Sequence, residues 1–444
     1  MLSEAWTLAI EALSWIELEG LSERLALARA SKQLAVKDAN AIGLAHRLVW
    51  ETSKRKNFID FILNSVLPPK SVRNFKLGVK SFLRLYVYET RIRNVDFKTA
   101  SNIAQMGRSI LGWRELSEVE EVLGQLLTVD FHQILKGLGD EERTALLTAH
   151  PLWFVKYCFH LFGRHEALWF LESSDETAPT YIRINTLKGQ EETLLRNIEA
   201  DGITLEKVQH LRYAYRVAGK RPIMGTRSFK EGFFYVQDKA SCLAAEVANA
   251  EAGMTVLDVC AAPGAKTTYL AQLMENKGII FSLDYSKRRM NVWRQEIRRM
   301  GVKIAIPITA DASKPLPVKL RADLLFLDPP CTSTGTFRKL PSAKWRLTKR
   351  SIMRMAGFQW KMFEACADLV KDQGHLIYST CSVTVEENEM LIEKFLKWHP
   401  DFKIVDAKPW IGLPGMRGLT KCQRLYPHIH DCNGFFIAKM QKEA

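Results

Sequence analysis

The sequence predicts an α/β protein in which a doubly wound parallel sheet follows an all-helical domain and a small α+β subdomain. Three observations carry this. From residue 253 onward, short apolar runs alternate with helical stretches, the pattern of a parallel sheet covered on both faces. Residues 1–130 repeat apolar positions at helical spacing, with little glycine and weak strand signals. Between them, segments such as "TYIRINTLKG" alternate in polarity as half-buried strands do.

In chain order, "LAVKDANAIGLAHRLVWETSKRKNFIDFILNSVL" is helical and "PPKSVRN" interrupts it with a double proline. "FKLGVKSFLRLYVYETRI" resumes the amphipathic pattern. The basic stretches "SKRKN" and "ETRIRN" are candidates for RNA contact, but a charged helix face is more often simply solvated. Over residues 131–250 the character mixes. "HPLWFVKYCFHLFG" is an aromatic-rich helix, "EETLLRNIEADGI" is a helix with acids in its first turn, and "DKASCLAAEVANA" is another helix. "YAYRV" and "GFFYVQ" are short strands. Over 251–444 the strands are "TVLDVCA", "GIIFSLD", "IAIPITAD", "ADLLFLD" and "GHLIYST", with "NGFFIAKM" as a late antiparallel one.

The 444 residues are too many for one ordinary core, and 47% hydrophobic with 25% charged content is that of a soluble globular chain. No run of eighteen apolar residues exists and the N-terminus lacks a basic region with a cleavage site, so a cytoplasmic protein without membrane attachment is expected. Lys and Arg outnumber Asp and Glu by 63 to 49, a net charge of +14 that favours polyanions, nucleic acid above all, as partners. The eight cysteines form no C-x-x-C pair, so reduced thiols are expected. In "PHIHDC", alternate spacing on a strand would put His428, His430 and Cys432 on one face, but a fourth ligand is missing and no metal is expected.

Ligands of a doubly wound sheet sit beyond the carboxyl ends of its strands. The first strand leads into "LDVCAAPGAKTT": Asp258, a tight loop with Gly264, then a helix whose N-terminus offers free N–H groups. Asp284 ends the second strand, placed to bond ribose hydroxyls, Asp311 ends the third and Asp328 the fourth. Neither G-x-G-x-x-G nor a P-loop is present, so a nucleoside cofactor without phosphates fits better than a nucleotide. S-adenosylmethionine is such a cofactor.

Two adjacent strand ends also deliver cysteines: Cys331 in "LDPPCTS" and Cys381 in "YSTCS". A free cysteine is usually a small buried hydrophobe, but these two lie where ligands bind. Cytosine carbon 5 attacks a methyl sulfonium poorly until a thiolate adds to carbon 6 and converts the ring to an enamine. The thiolate must then leave once the carbon-5 proton is gone, a step that a second group assists. Asp328 could bond the base edge and balance charge at its ring nitrogen. An exocyclic-amine methyltransferase also uses Asp-Pro-Pro, but it places an aromatic next, where this chain has Cys331. A non-catalytic RNA-binding assembly factor would need neither thiol.

Over residues 150–444 the chain resembles the Sun (Fmu) type of RNA cytosine-5 methyltransferases. "RINTLK", "VQDKAS", "LDVCAAPGAKT", "LDPPC", "KWR", "YSTCS", "VEENE", "QRLYPH" and "GFFIAK" occur in that family's order. The resemblance implies a Rossmann-like, S-adenosylmethionine-dependent catalytic domain over 251–444 and an RNA-recognition-like subdomain over 131–250. It implies that residues 1–130 form a NusB-like RNA-binding domain. It implies that Cys381 attacks and Cys331 assists release. The loop of Cys260, Ala261, Ala262, Pro263, Gly264, Ala265 and Lys266 would hold the methionine part of the cofactor. Asp284 would bind ribose and Asp311 the adenine edge; Asp328 would lie between cofactor and target base, with Lys266 orienting the nucleotide. Ribosomal RNA is the favoured substrate, with tRNA as the alternative, and a monomer is expected. Ala265 departs from the family, which more often has a second glycine there; if that position needs positive φ, its Cβ costs about 1 kcal/mol and alters the loop.

Overall fold

The computed structural model describes residues 1–219, 222–316 and 320–444. They divide into two compact units: Met1–Glu176 with Phe337–Leu347, and Thr177–Thr336 with Thr348–Ala444.

The first unit is helical. Helices Leu2–Glu19, Ala39–Lys54, Lys56–Val66 and Leu77–Val87 turn Trp6, Leu48, Ile59 and Phe82 into one core. Helical structure continues past residue 130 through Leu152–Phe162 and Arg164–Ser173, so the aromatic enrichment there belongs to helix packing. "SKRKN" is engaged within this unit: Lys54 pairs with Asp175 at 2.7 Å, Arg55 with Glu51 and Asp175, and Lys56 approaches Glu17. In "ETRIRN", Arg91 donates to the carbonyls of Leu127 and Val129, and Arg93 pairs with Glu89. Lys54, Arg55, Lys56 and Arg91 thus join segments distant in sequence, while Arg93 pairs within its own turn. Segment 337–347, which contains "KWR", packs here too: Trp345 donates to the Ser53 carbonyl at 2.6 Å and Arg338 to that of Ser173 at 2.6 Å.

The second unit holds two sheets. The smaller comprises β1 (Tyr181–Ile184), β2 (Leu205–Lys207), β3 (Ala214–Val217) and β4 (Phe234–Val236), antiparallel in the order β2-β3-β1-β4. With helices Glu191–Ala200 and Arg227–Lys230 the chain runs β-α-β-β-α-β. β2 has no sequence signal, since "LEK" is short and mostly exposed.

The larger sheet comprises β5 (Thr255–Val259), β6 (Ile279–Asp284), β7 (Ala305–Thr309), β8 (Ala322–Leu327), β9 (Val370–Thr380), β10 (Phe402–Val405), β11 (Leu413–Pro414), β12 (Gln423–Leu425) and β13 (Phe435–Lys442). Its order is β11-β12-β13-β9-β8-β5-β6-β7, with β10 paired to β13. Strands β7, β6, β5, β8 and β9 run parallel, and β13 is antiparallel to β9. Strand order reverses between β5 and β8, the switch point beside which such sheets bind ligands. "PHIH" is a short helix, Pro427–His430, so the expected shared strand face of His428, His430 and Cys432 does not form. Among the described residues no group of His, Cys, Asp or Glu is arranged to hold a metal, and no helix is long and apolar enough to cross a membrane.

The motifs "VEENE" and "QRLYPH" meet in a buried ion pair. Arg424 donates from Nε and Nη2 to the two oxygens of Glu389, each at 2.5 Å, and from Nη1 to the Val383 carbonyl. Glu389 has no exposed surface and Arg424 almost none. Removing one partner strands a buried charge, so Glu389→Leu or Arg424→Met alone is expected to cost about 3–5 kcal/mol in urea unfolding. The double replacement should cost less than either single one.

Candidate active site

Strand β5 delivers the chain into a loop held at both ends by left-handed residues, Cys260 at φ 68° and Gly264 at φ 113°. A Cβ at Gly264 would also lie 3.3 Å from the Trp293 ring. Ala265 is the first residue of the helix Ala265–Leu273 and does not have positive φ. The strain expected at Ala265 is therefore absent: glycine's freedom is needed one residue earlier, and a Cβ on the first helical turn costs nothing there.

Distant side chains grip this loop. The Ala261 N–H donates to the Leu283 carbonyl at 2.9 Å, and the Ala262 N–H to Asp284 at 3.3 Å. Arg289 donates to the Ala262 carbonyl and pairs with Asp284 at 3.1 Å. Arg183, buried on β1, donates to the Ala265 carbonyl at 3.1 Å and to Thr268 Oγ1 at 2.9 Å, its guanidinium over the Tyr269 ring.

Beside the loop lies a cavity of about 270 Å³, lined by Cys260, Asp284, Tyr285, Asp311, Pro330, Phe358 and Met362 among others. Of the residues expected around a nucleoside, Cys260, Asp284 and Asp311 line it. Ala261, Ala262, Pro263, Gly264, Ala265, Lys266 and Asp328 are not among its walls. One Asp311 oxygen accepts from the Ser313 N–H and hydroxyl, which holds its carboxyl below the usual range. An apolar slot of ring and sulfur surface between two carboxylates suits a nucleoside: the apolar walls pack a flat base, and the acids accept from amino and hydroxyl groups. Tyr285, Phe358 and Met362 were missed. Tyr285 adjoins Asp284 and was within reach, but Phe358 and Met362 sit on the helix Lys349–Cys366, far along the chain and without a motif.

Asp258 does not share this role. Its carboxyl accepts from the Thr267 hydroxyl and is fully buried inside the sheet, where burial pushes its pKa up to about 7.

β8 and β9 are neighbours in register, Leu327 beside Tyr378, and each runs straight into a cysteine loop. The Cys331 and Cys381 sulfurs lie 3.2 Å apart as free thiols. Cys381 also lies 3.5 Å from the Ser333 hydroxyl. The hydrogen bond from the Cys331 thiol, helped by Ser333 and the charge of Lys266, holds Cys381 below the usual thiol range against burial. That same bond together with burial pushes Cys331 well up. Lys266 reaches Asp328 Oδ2 at 2.6 Å, and Ser379 donates to Oδ1 at 2.9 Å. Burial acts to neutralise Lys266, but the Asp328 charge and hydrogen bond outweigh it and raise its pKa. A thiol of lowered pKa beside one of raised pKa, next to the partly buried Lys266–Asp328 pair, is equipped for nucleophilic addition and proton handling. Cys158, Cys242, Cys366 and Cys422 are buried with raised pKa values, as inert core thiols are.

Residues 245–441 match the model of the 16S rRNA methyltransferase RsmB/F family, and residues 150–224 match the ferredoxin-like domain model of RsmF/B-like methyltransferases. The probable ribosomal RNA small subunit methyltransferase B of Bacillus subtilis is 30% identical over 446 aligned residues, 98% of each chain. The chain belongs to this family. RsmB/F proteins are S-adenosylmethionine-dependent RNA (cytosine-5)-methyltransferases, and this chain is one of them. The crystal structure of PH0851 superposes with TM-score 0.83 at 30% identity, covering 100% of this chain and 99% of that one. NSun6 from Pyrococcus horikoshii, solved with the S-adenosylmethionine analogue SFG, gives TM-score 0.63 at 26% identity over 67% of this chain and all of its own. A tRNA (cytosine(72)-C(5))-methyltransferase of the same organism is 38% identical over 49% of this chain and 54% of its own length. The match to the ferredoxin-like model accords with the β-α-β-β-α-β run of the smaller sheet.

Asp258 generates a pH prediction. Its folded pKa of about 7 lies above the usual 3.8 of an aspartate, so the folded chain keeps a proton that the unfolded chain has released between those values. That contribution to stability is full below 3.8 and is lost as pH rises through about 7. In Asp258→Asn the group is neutral at every pH. Urea titrations stepped across this window should show the variant gaining on the parent as pH rises, then levelling off.

Proposed function

We propose that this RsmB/F protein methylates carbon 5 of a cytosine in ribosomal RNA through a covalent adduct between Cys381 and carbon 6. The observation that carries the reading is the placing of two thiols 3.2 Å apart at the ends of adjacent parallel strands, beside the Lys266–Asp328 pair, with Cys381 held below and Cys331 above the usual thiol range. When bound, S-adenosylmethionine supplies the methyl group from its sulfonium. Asp284 and Asp311 hold the nucleoside part, and the loop Cys260–Lys266 holds the methionine part.

The Cys381 sulfur adds to carbon 6 and forms a C–S bond. The electron pair displaced from the C5–C6 double bond makes carbon 5 nucleophilic. After methylation, the carbon-5 proton passes to the second basic group that Cys331 provides, the freed pair re-forms the ring double bond, and the C–S bond breaks to release the Cys381 thiolate. Cys331 assists this release. Asp328, oriented by Lys266 and Ser379, bonds the base edge and balances charge at the ring nitrogen. The target must leave its stack for carbon 6 to be reached.

Ribosomal RNA is favoured because the Bacillus subtilis relative matches along both units, whereas the tRNA-modifying relative matches about half of the chain. On this reading the helical unit is a NusB-like RNA-binding domain and the smaller sheet an RNA-recognition-like subdomain.

The test incubates Cys331→Ala and Cys381→Ala with S-adenosylmethionine and total RNA. Cys331→Ala should accumulate a protein–RNA adduct that survives a denaturing gel, and the double variant should not. Cys381→Ala should lose both adduct and methylation; methylation that survives it would sink the covalent mechanism. Sequencing the trapped RNA separates ribosomal from transfer RNA. For the cofactor, Asp284→Ala should weaken S-adenosylmethionine binding about tenfold to a hundredfold by calorimetry, the worth of a hydrogen bond to a charged group.

A further inference from the structure

Besides the backbone bond from the Gly335 N–H to the Cys381 carbonyl, the two cysteine loops are joined by side chains that converge on one buried carboxylate. Glu387 has no exposed surface. One of its oxygens, Oε1, accepts from the Thr332 N–H at 2.8 Å and from Gln359 Nε2 at 2.9 Å. The other, Oε2, accepts from the hydroxyls of Thr332, Ser382 at 2.6 Å and Thr384 at 2.9 Å. Thr332 follows Cys331 and Ser382 follows Cys381, so each thiol is one residue from a bond to Glu387. Gln359 also donates to the carbonyl of Pro330, on the other side of Cys331, at 2.9 Å. Tyr378 of β9 donates to the Glu387 carbonyl at 2.7 Å and fixes the clamp to the sheet.

We propose that Glu387 is a positioning residue whose buried carboxylate locks the Cys331 and Cys381 loops in register and gives the two thiols their unlike roles. The inference rests on the reading of Cys381 as nucleophile. Position and charge act together. The bonds through Thr332 and Ser382 set the approach of the two sulfurs. The negative charge adds to the hydrogen bond with Cys381 and to burial in disfavouring an anion at Cys331. Glu387 touches neither reacting sulfur.

Glu387→Gln separates charge from shape. The side facing Thr332 N–H and Gln359 must remain an oxygen, but the side facing three hydroxyls can become an amide NH2, because hydroxyls rotate to accept. The experiment alkylates the full-length protein with iodoacetamide and maps modified cysteines by peptide mass spectrometry, beside kcat and KM for RNA methylation. In the parent, Cys381 should react in preference to Cys331; no preference would overturn the nucleophile assignment itself. In Glu387→Gln the Cys381-to-Cys331 ratio should fall at least about tenfold, the effect of one unit of relative thiol acidity. Cys242, Cys366 and Cys422 should stay unmodified, kcat should fall, and KM and cofactor affinity should hold. An unchanged ratio with unchanged kcat overturns the role of Glu387. Should the core cysteines react as well, the fold has not held and Thr332→Val decides. That variant removes the hydroxyl bond from the Cys331 loop and keeps the charge; the ratio and kcat must fall together there, and if neither falls the proposal is wrong.

Discussion

The parallel pairing of β8 with β9 is the constraint on which the site depends. Neighbouring strands lie about 4.8 Å apart, so two chains leaving the same sheet edge at the same level bring their next residues within side-chain reach. Leu327 opposite Tyr378 sets that level, and Asp328, Cys331, Ser379 and Cys381 all follow from it. Beyond the last paired residues the backbone loses its ladder partners, and a buried loop must satisfy its N–H and carbonyl groups some other way. The chain does this with side chains from a later segment. Glu387 takes the N–H of Thr332, and Asn388 donates to the Ser382 carbonyl at 2.9 Å while accepting from Thr380. Where even a side chain does not fit, backbone meets backbone. Gly335 donates to the Cys381 carbonyl and accepts from Gly434, and a Cβ on Gly335 would fall 2.1 Å from the Gly434 oxygen.

Making two identical residues unlike is a problem of low dielectric. In water, neighbouring thiols titrate nearly alike; in a buried site each hydrogen bond and charge weighs more. Here the hydrogen bond between the thiols lowers Cys381 and raises Cys331, while Lys266, tied closely to Asp328, favours the anion at Cys381. The carboxylate is as important as the ammonium, because burial alone would act to neutralise Lys266.

Much of this was legible because strand ends are where a doubly wound sheet binds, so an acid or a cysteine there carries information that the same residue in a helix does not. The principle ran out where side-chain direction matters. Asp258 and Asp284 look equivalent in sequence, but Asp258 lies inside β5, one residue before its last, and faces Thr267, whereas Asp284 closes β6 and opens to the cavity. A one-residue step in a strand exchanges faces, and no composition signal locates the last paired residue that finely. Phe358 and Met362 were beyond reach for another reason: a helix four residues apart puts both on one face, but only the tertiary arrangement says what that face covers. The ion pairs of the basic stretches were equally out of reach, because the acids that engage them, such as Asp175 and Glu17, are distant in sequence.

The loop Cys260–Lys266 ties the smaller sheet to the larger one. A short loop with two left-handed residues has little stability of its own, and its exposed carbonyls would let it relax. Arg183 from β1 and Arg289 from the helix Lys287–Met300 bind successive parts of it, one at Ala265 and one at Ala262. Arg183 is buried among Tyr235 and Tyr269 with no carboxylate partner among the described residues, and burial lowers its pKa to about 10, still well above neutrality. A buried cation with that little compensation persists only if its hydrogen bonds are kept. The carbonyl of Ala265 and the hydroxyl of Thr268 supply them, so the loop's geometry and the docking of the smaller sheet sustain one another.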